Sequence, residues 1–253
     1  MEWVLLFFSG LLAGVLNSIA GGGSFITFPA LLFVGLPPVV ANATNTFSSC
    51  AGYVSGAAGF YQELKEIRHF LPMVVLYSTL GGALGAISLL FIPSAHFEAL
   101  IPWLMLFATS LFILGERVNR ALNDRISRRL KEEPWFRYLS VFLLFLIALY
   151  GGFFNAGLGI VILGYLVLTG FSDVHQMNGL KLLISAIVSM TAIVIFIYDG
   201  LIDWSSGAAV MLGTLIGGFI AARISRRIDA AHVRVGIIIT SISLTVYFFY
   251  STY

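Results

Sequence analysis

The sequence predicts an all-α polytopic membrane protein with two inverted-topology repeats, broken or re-entrant helices, and about 8 to 10 hydrophobic segments. Three observations lead there: the composition, a glycine-rich interruption near the start, and the placement of charge. The 253 residues are 59% apolar and 10% charged, with a mean hydropathy of +0.97. A soluble domain carries about 25% charged residues. The net charge of +2 says nothing of a nucleic-acid partner, and none is expected. A single cysteine, Cys50, excludes an intrachain disulfide and a cysteine-based metal site.

Taken in order, the apolar stretches are Trp3–Ile19, Phe25–Val34, Ala41–Tyr61, Phe70–Ile92, Phe97–Leu114, Tyr138–Phe154, Ile160–Gly170, Met177–Tyr198, Ser205–Ala222 and Val233–Tyr250. A spanning helix needs about 20 residues. Phe25–Val34 and Ile160–Gly170 are too short, and each follows a longer stretch and a glycine-rich break. Both read as half-helices or arms of a re-entrant hairpin. The first break is Asn17-Ser18-Ile19-Ala20-Gly21-Gly22-Gly23-Ser24. Three successive glycines hold a helix poorly, because glycine loses the most backbone freedom on ordering. At membrane depth the freed backbone groups must be buried in protein or line a wet cavity. The plainer reading is close helix packing through small residues. The first segment lacks a basic leader and runs straight into the glycines, so it is expected to be retained.

The chain matches itself. Gly14-Val15-Leu16-Asn17 resembles Gly152-Phe153-Phe154-Asn155, and Ala20-Gly21-Gly22-Gly23 resembles Ala156-Gly157-Leu158-Gly159. Gly35 falls on Gly170, Gly81-Gly82 on Gly217-Gly218, and His96 on His232. Matches in the same order over both halves define a first membrane repeat at 1–115 and a second at 138–253, within one integral membrane domain. The linker 116–137 has apolar residues four apart at Val118, Leu122, Ile126 and Leu130, with charge on its other faces. It reads either as an amphipathic helix on the cytoplasmic membrane surface, ended near Pro134, or as a solvated connector.

Charge supplies the topology. Lys65 and Arg68, the seven basic residues from Arg117 to Arg137, and Arg223, Arg226, Arg227 and Arg234 mark cytoplasmic loops. Both ends of the segment from the linker to Arg223 are basic, so it makes an even number of crossings. Pairing Tyr138–Phe154 with Ile160–Gly170 as an element that enters and returns satisfies this. The same rule places both termini outside, together with Asp199 and Asp203.

Inverted repeats with broken helices are the architecture of many secondary transporters, whose substrates bind where the half-helix ends meet. Helix starts favour anions. Gly22, Gly23 and Ser24 open one half-helix; Leu158-Gly159-Ile160 opens the other. Asn17 and Asn155 occupy matching places at the breaks. Thr44, Asn45 and Thr46 at the start of the third stretch, and Asn178 in its counterpart, add hydrogen-bonding groups, which are expensive in lipid and usually face the bundle interior. Interhelical hydrogen bonding is the alternative role. Lys181 is the one clear charge inside a predicted span, read as a substrate-facing cation or as a snorkelling side chain, with Thr46 in the equivalent place of the first half. No Asp or Glu lies deep in a span, although His175 near the start of the Lys181 helix can titrate. No residue order suggests a hydrolase, a metal site or a nucleotide-phosphate loop, so neither enzyme nor cofactor is expected.

Ala13-Gly14, Ala20-Gly21-Gly22-Gly23-Ser24-Phe25, Pro29-Ala30-Leu31-Leu32, Gly35-Leu36-Pro37-Pro38 and Ala41-Asn42-Ala43-Thr44-Asn45 resemble the opening of the sulfite exporter TauE/SafE permeases. Gly81-Gly82-Ala83-Leu84-Gly85 is similar to that family's middle glycine motif. In the second half a Gly-Thr-x-Lys pattern is replaced by Asn178-Gly179-Leu180-Lys181, keeping the lysine and losing the threonine. The resemblance implies a multi-pass carrier of the bacterial inner membrane for sulfite, thiosulfate, sulfoacetate or another short sulfonate or organic acid. The residues leave room for a coupling ion, proton or sodium, and for homodimer packing through the glycine-rich helices. The expected substrate-binding set is Asn17, Gly22, Gly23, Ser24, Thr44, Asn45, Thr46, Asn155, Asn178 and Lys181. A passive anion channel and a non-transporting assembly subunit are the alternatives.

Overall fold

The computed structural model describes residues 2–19, 22–123, 133–224 and 230–253. Among the described residues every regular element is a helix. They are α1 (Glu2–Ile19), α2 (Ser24–Phe33), α3 (Pro38–Gly59), the short α4 (Tyr61–Glu66), α5 (Leu71–Leu90), α6 (Ser94–Asn123), α7 (Pro134–Phe153), α8 (Leu158–Thr169), α9 (Val174–Tyr198), α10 (Trp204–Ile224) and α11 (Ala230–Thr252).

Local chemistry sets the boundaries. Pro38 and Pro134 open their helices, where the missing N–H costs nothing. Asp173 and Asp203 cap α9 and α10, their Oδ1 atoms accepting from Gln176 N (2.8 Å) and Ser206 N (2.7 Å). The two half-helices end alike. Gly35 (φ +89°) and Gly170 (φ +95°) take left-handed conformations that only glycine adopts freely. Behind them Leu36 N donates to Leu31 O (3.2 Å), and Phe171 N to Leu166 O (2.9 Å). These matched stops are the structural form of the sequence match at Gly35 and Gly170.

Among the described residues, three helices are by length and composition sufficient to cross a bilayer, namely Leu71–Leu90, Trp135–Phe153 and Val174–Tyr198. Helix α5 shows why. Val75, Leu76, Leu80, Leu84 and Ile87 are exposed, while Val74, Ser78, Gly81, Gly82, Gly85, Ala86 and Leu89 are buried. An apolar outer stripe of that size suits lipid and not water.

The main packing seams are α1 on α10 and α5 on α7. Both are built on glycine. A Cβ added at Gly10 or Gly14 would overlap the carbonyl oxygen of Val210 or Thr214, and one at Gly217 would overlap that of Leu11. On the other seam, Gly85 faces the Leu149 oxygen and Gly152 faces that of Gly82. Under the internal sequence matches α1 corresponds to α7 and α10 to α5, so the two seams are counterparts. Each half lends one helix to the other's seam.

The short stretches are hairpin arms. Gly23 packs against the Ala13 carbonyl, so α2 returns along α1. Leu158 lies over Gly151, and Tyr150 OH donates to Ala156 O (2.6 Å), so α8 returns along α7. One boundary differs from the sequence reading. Helix α6 continues unbroken from Ser94 past Leu114 to Asn123, into the charged linker. Pro134 begins α7, and residues 124–132 of the linker, where the expected amphipathic helix would end, lie outside the described residues. Counted from their helix starts, Asn45 and Lys181 are each the eighth residue of α3 and α9. Counted from the matched glycine stops, Thr46 and Lys181 are each eleven residues after Gly35 and Gly170, so Asn45 and Thr46 together flank the place equivalent to Lys181.

Candidate functional site

The two breaks meet in the middle of the molecule. Gly157, with φ +76°, opens α8, and a Cβ there would stand 3.7 Å from Phe25 Cζ of α2 and 3.0 Å from Ala108 Cβ of α6. The Phe28 and Phe154 rings are edge-to-face with centroids 5.3 Å apart. Aromatic contacts of this kind add roughly 0.5–1.5 kcal/mol beyond their buried area. They fix the start of one half-helix against the start of the other.

On the first-half side, Ser24 begins α2 with its side chain 2% exposed. Its Oγ makes no hydrogen bond. One turn on, Thr27 Oγ1 donates to Asn45 Oδ1 (2.5 Å) and lies 3.3 Å from Gly23 O. That bond uses the Asn45 carbonyl and leaves its Nδ2, in a residue 1% exposed, without an acceptor. Buried polar groups are normally paired, and an unpaired one costs about 1–3 kcal/mol. Among the described residues, Asn42 Oδ1, Ser78 Oγ and Tyr165 OH are also buried without partners; Ser24 Oγ and Asn45 Nδ2 are the two that lie beside the start of α2.

Between the halves runs a chain of bonds. Tyr53 OH donates to Asn155 Oδ1 (3.0 Å), and Asn155 Nδ2 donates to Ser189 Oγ (2.9 Å). The Tyr53 hydroxyl also stands close to the Asn17, Ser24 and Ser49 side chains. Asn42 Nδ2 donates to Phe153 O (2.9 Å), satisfying a carbonyl that the end of α7 frees.

On the second-half side, Lys181 is 7% exposed and donates to Asn178 Oδ1 (3.1 Å) one turn away. Its aliphatic stem passes Gly159, where a Cβ would lie 3.4 Å from Lys181 Cδ. An ammonium has three donors, and this bond occupies one.

Of the residues expected to line the site, Asn17, Ser24 and Asn155 gather around Tyr53, and Gly23 and Asn45 join them through Thr27. Gly22 and Gly23 are both buried at the turn into α2. Gly159, Asn178 and Lys181 form a second group beside the other break. Thr44 and Thr46 have other partners. Thr44 Oγ1 accepts from Asp203 N (3.0 Å) at the start of α10, and Thr46 Oγ1 donates to Asn42 O (2.9 Å) within its own helix. Sequence reading missed Thr27, Tyr53 and Ser189. Tyr53 stands eight residues after Asn45, a little over two turns on and about 80° around the helix. That spacing was its only signal.

The family model for the sulfite exporter TauE/SafE matches residues 6–248. A probable membrane transporter protein of Haemophilus influenzae is 28% identical over 242 residues, covering 95% of this chain and 92% of the relative. A probable membrane transporter protein, ORF9, of a Sinorhizobium species is 31% identical over 246 residues, 95% of this chain and 90% of the relative. The probable membrane transporter protein YfcA of Escherichia coli is 26% identical over 250 residues, 98% and 90% of the two chains. No solved structure matches. A match over nearly the whole chain, with relatives aligned end to end, leads to one conclusion: the protein belongs to the sulfite exporter TauE/SafE family of membrane transporters.

Proposed function

We infer that the protein is a secondary transporter for a small sulfur-containing oxyanion or sulfonate, working by alternating access between two inverted repeats in the bacterial inner membrane. The observation that carries the substrate reading is the pair of buried groups without partners, Ser24 Oγ and Asn45 Nδ2, beside the start of α2. A hydroxyl and an amide N–H₂ can both donate, and an oxyanion offers acceptors for both. In this reading the Lys181 group beside the other break supplies positive charge from the second half, and the Ser24 and Asn45 groups supply neutral donors from the first. The family adds the sulfur chemistry. Alternating access is supported by the matched seams and by two hairpins that meet at their tips, the arrangement of repeat-built carriers. Placing the basic loops in the cytoplasm puts both termini and Asp203 outside.

The test is a thermal-shift panel on the purified full chain with sulfite, thiosulfate, short alkylsulfonates, sulfoacetate, acetate and chloride. A ligand that binds only the folded state raises the apparent melting temperature with its concentration. The expected result is a saturable rise with one or more sulfur oxyanions and none with chloride. Counterflow of that anion in proteoliposomes should saturate. Single-channel currents in its place would make the protein a channel, and indifference to every anion would remove the anion site.

A further inference from the structure

Tyr53 carries a hydroxyl that stands close to side chains of both breaks. It comes from the first half, is 7% exposed, and gives its single proton to Asn155 Oδ1 at 3.0 Å. Asn155 is held from its other end by Ser189 Oγ at 2.9 Å. Close to the same phenol hydroxyl lie Asn17, the counterpart of Asn155 at the first break, and Ser24, whose buried Oγ has no hydrogen-bond partner. The proton therefore closes the first half onto the second, while the group beside it waits for a partner.

We propose that Tyr53 is an occupancy latch: its hydroxyl holds Asn155 in the empty protein and transfers to an oxygen of the bound anion, releasing the second break. The proposal rests on reading the Ser24–Asn45 place as an anion site and adds the means by which occupancy reaches the other half. A charge-assisted O–H bond to an anionic oxygen is shorter and roughly twice as strong as one to a neutral amide oxygen. An oxyanion beside Ser24 thus outcompetes Asn155 Oδ1 for the one proton. Asn155 keeps Ser189 and loses its tie to α3. The turn from Asn155 to Gly157 is then freer to move only when cargo is present. That is the condition of an exchanger, in which the loaded carrier reorients and the empty one does not.

Tyr53→Phe keeps the ring and removes the proton. The full-length protein is compared in proteoliposomes and in detergent, with methanesulfonate and sulfite as probes. The latch predicts two changes together. Apparent affinity for the better probe falls about tenfold, the loss of one charge-assisted bond. Backbone hydrogen exchange over residues 153–160 in the absence of anion rises to the rate that wild type shows only with anion bound. Net efflux without external substrate also rises relative to counterflow. A purely structural tyrosine would lower melting temperature and leave the affinity, the anion dependence of exchange and the flux ratio unchanged; that result overturns the latch. Should Tyr53→Phe fail to fold, 3-fluorotyrosine at position 53 decides, since it is nearly isosteric and a stronger donor. Severalfold tighter binding supports the latch, and unchanged binding overturns it. Wild type that binds neither probe would overturn the anion site and the latch with it. Wild type that binds, beside a variant that binds equally well, overturns the latch alone.

Discussion

The two halves share a scaffold and differ in chemistry. Both have a hairpin of one long and one short apolar helix, a left-handed glycine stop, a long third helix, and a glycine seam to the other half. At the breaks they diverge. The first carries Gly22-Gly23-Ser24 with Thr27 and Asn45, groups that are polar, neutral and partly unpaired. The second carries Asn155 and Lys181, whose polar atoms are bonded to Ser189, Tyr53 and Asn178. Both seams bring backbone against backbone, because two helices at that contact distance leave no room for side chains. That contact leaves the atoms at the breaks free to specialise. Here one half offers vacant donors and the other offers charge and a tether.

The largest effect should come from breaking the shared part. In both seams a Cβ at Gly85 or Gly217 would overlap a backbone oxygen, that of Leu149 or Leu11. Backbone cannot swing aside as a side chain can, so Gly85→Leu and Gly217→Leu should each cost more than about 3 kcal/mol. Neither variant is expected to yield monodisperse protein on size-exclusion in detergent. One variant folding normally while its counterpart fails would show that the seams are not equivalent.

Next in size are the residues that distinguish the halves. Lys181→Met removes the buried cation and should lower anion affinity by about 10- to 100-fold, the worth of one hydrogen bond to a charged group. The folded protein should survive, since a buried charge replaced by an apolar chain of similar length is often neutral or stabilising. Retained transport would return Lys181 to a snorkelling role. Ser24→Ala and Asn45→Ala should each weaken binding roughly five- to tenfold. Their effect on the empty protein separates them. Ser24 Oγ has no partner to lose, so Ser24→Ala should leave the melting temperature unchanged or raise it. Asn45→Ala removes the acceptor of the Thr27 hydroxyl and should lower it. The opposite order would mean that Ser24 is structural.

Much of this was legible in the residues. Helix content, the two breaks, the matched halves and the isolation of Lys181 all follow from hydropathy, glycine and charge, which act locally. Asn17, Ser24, Asn155 and Lys181 were nominated because polar side chains in an apolar run need a reason. What stayed hidden depends on which face of a helix meets which neighbour. Tyr53 reads as one more aromatic in an apolar helix until α3 is docked on the second break. Thr27 sits in a half-helix whose apolar residues dominate its pattern. Counting from the sequence matches and the glycine stops pairs Thr46 with Lys181, whereas counting from helix starts gives Asn45, one residue and about 100° away around the helix. Charge patterning ended α6 too early, because a helix that leaves the membrane keeps its backbone bonds in water.

The smallest predicted effect tests that same difference of face. Thr44 and Thr46 are two residues apart, so their side chains point about 200° apart on α3. Thr44 Oγ1 accepts the Asp203 N–H across 159 residues of chain, tying α3 to the start of α10. Thr46 Oγ1 donates to Asn42 O in the preceding turn, a carbonyl that the helix itself can already satisfy. Valine is nearly isosteric with threonine and removes only the hydroxyl. Thr44→Val strands the Asp203 N–H and should cost about 1–2 kcal/mol. Thr46→Val gives up a redundant bond and should cost less than about 0.5 kcal/mol. Both hydroxyls already have partners, Asp203 N and Asn42 O, so anion affinity should stay within about twofold of wild type in both variants. Chemical denaturation read by tryptophan fluorescence measures the first pair of numbers, and the thermal-shift titration measures the second. A Thr46→Val variant that loses affinity while keeping its stability would restore that residue to the anion site and return the pairing with Lys181 to the register of the sequence matches.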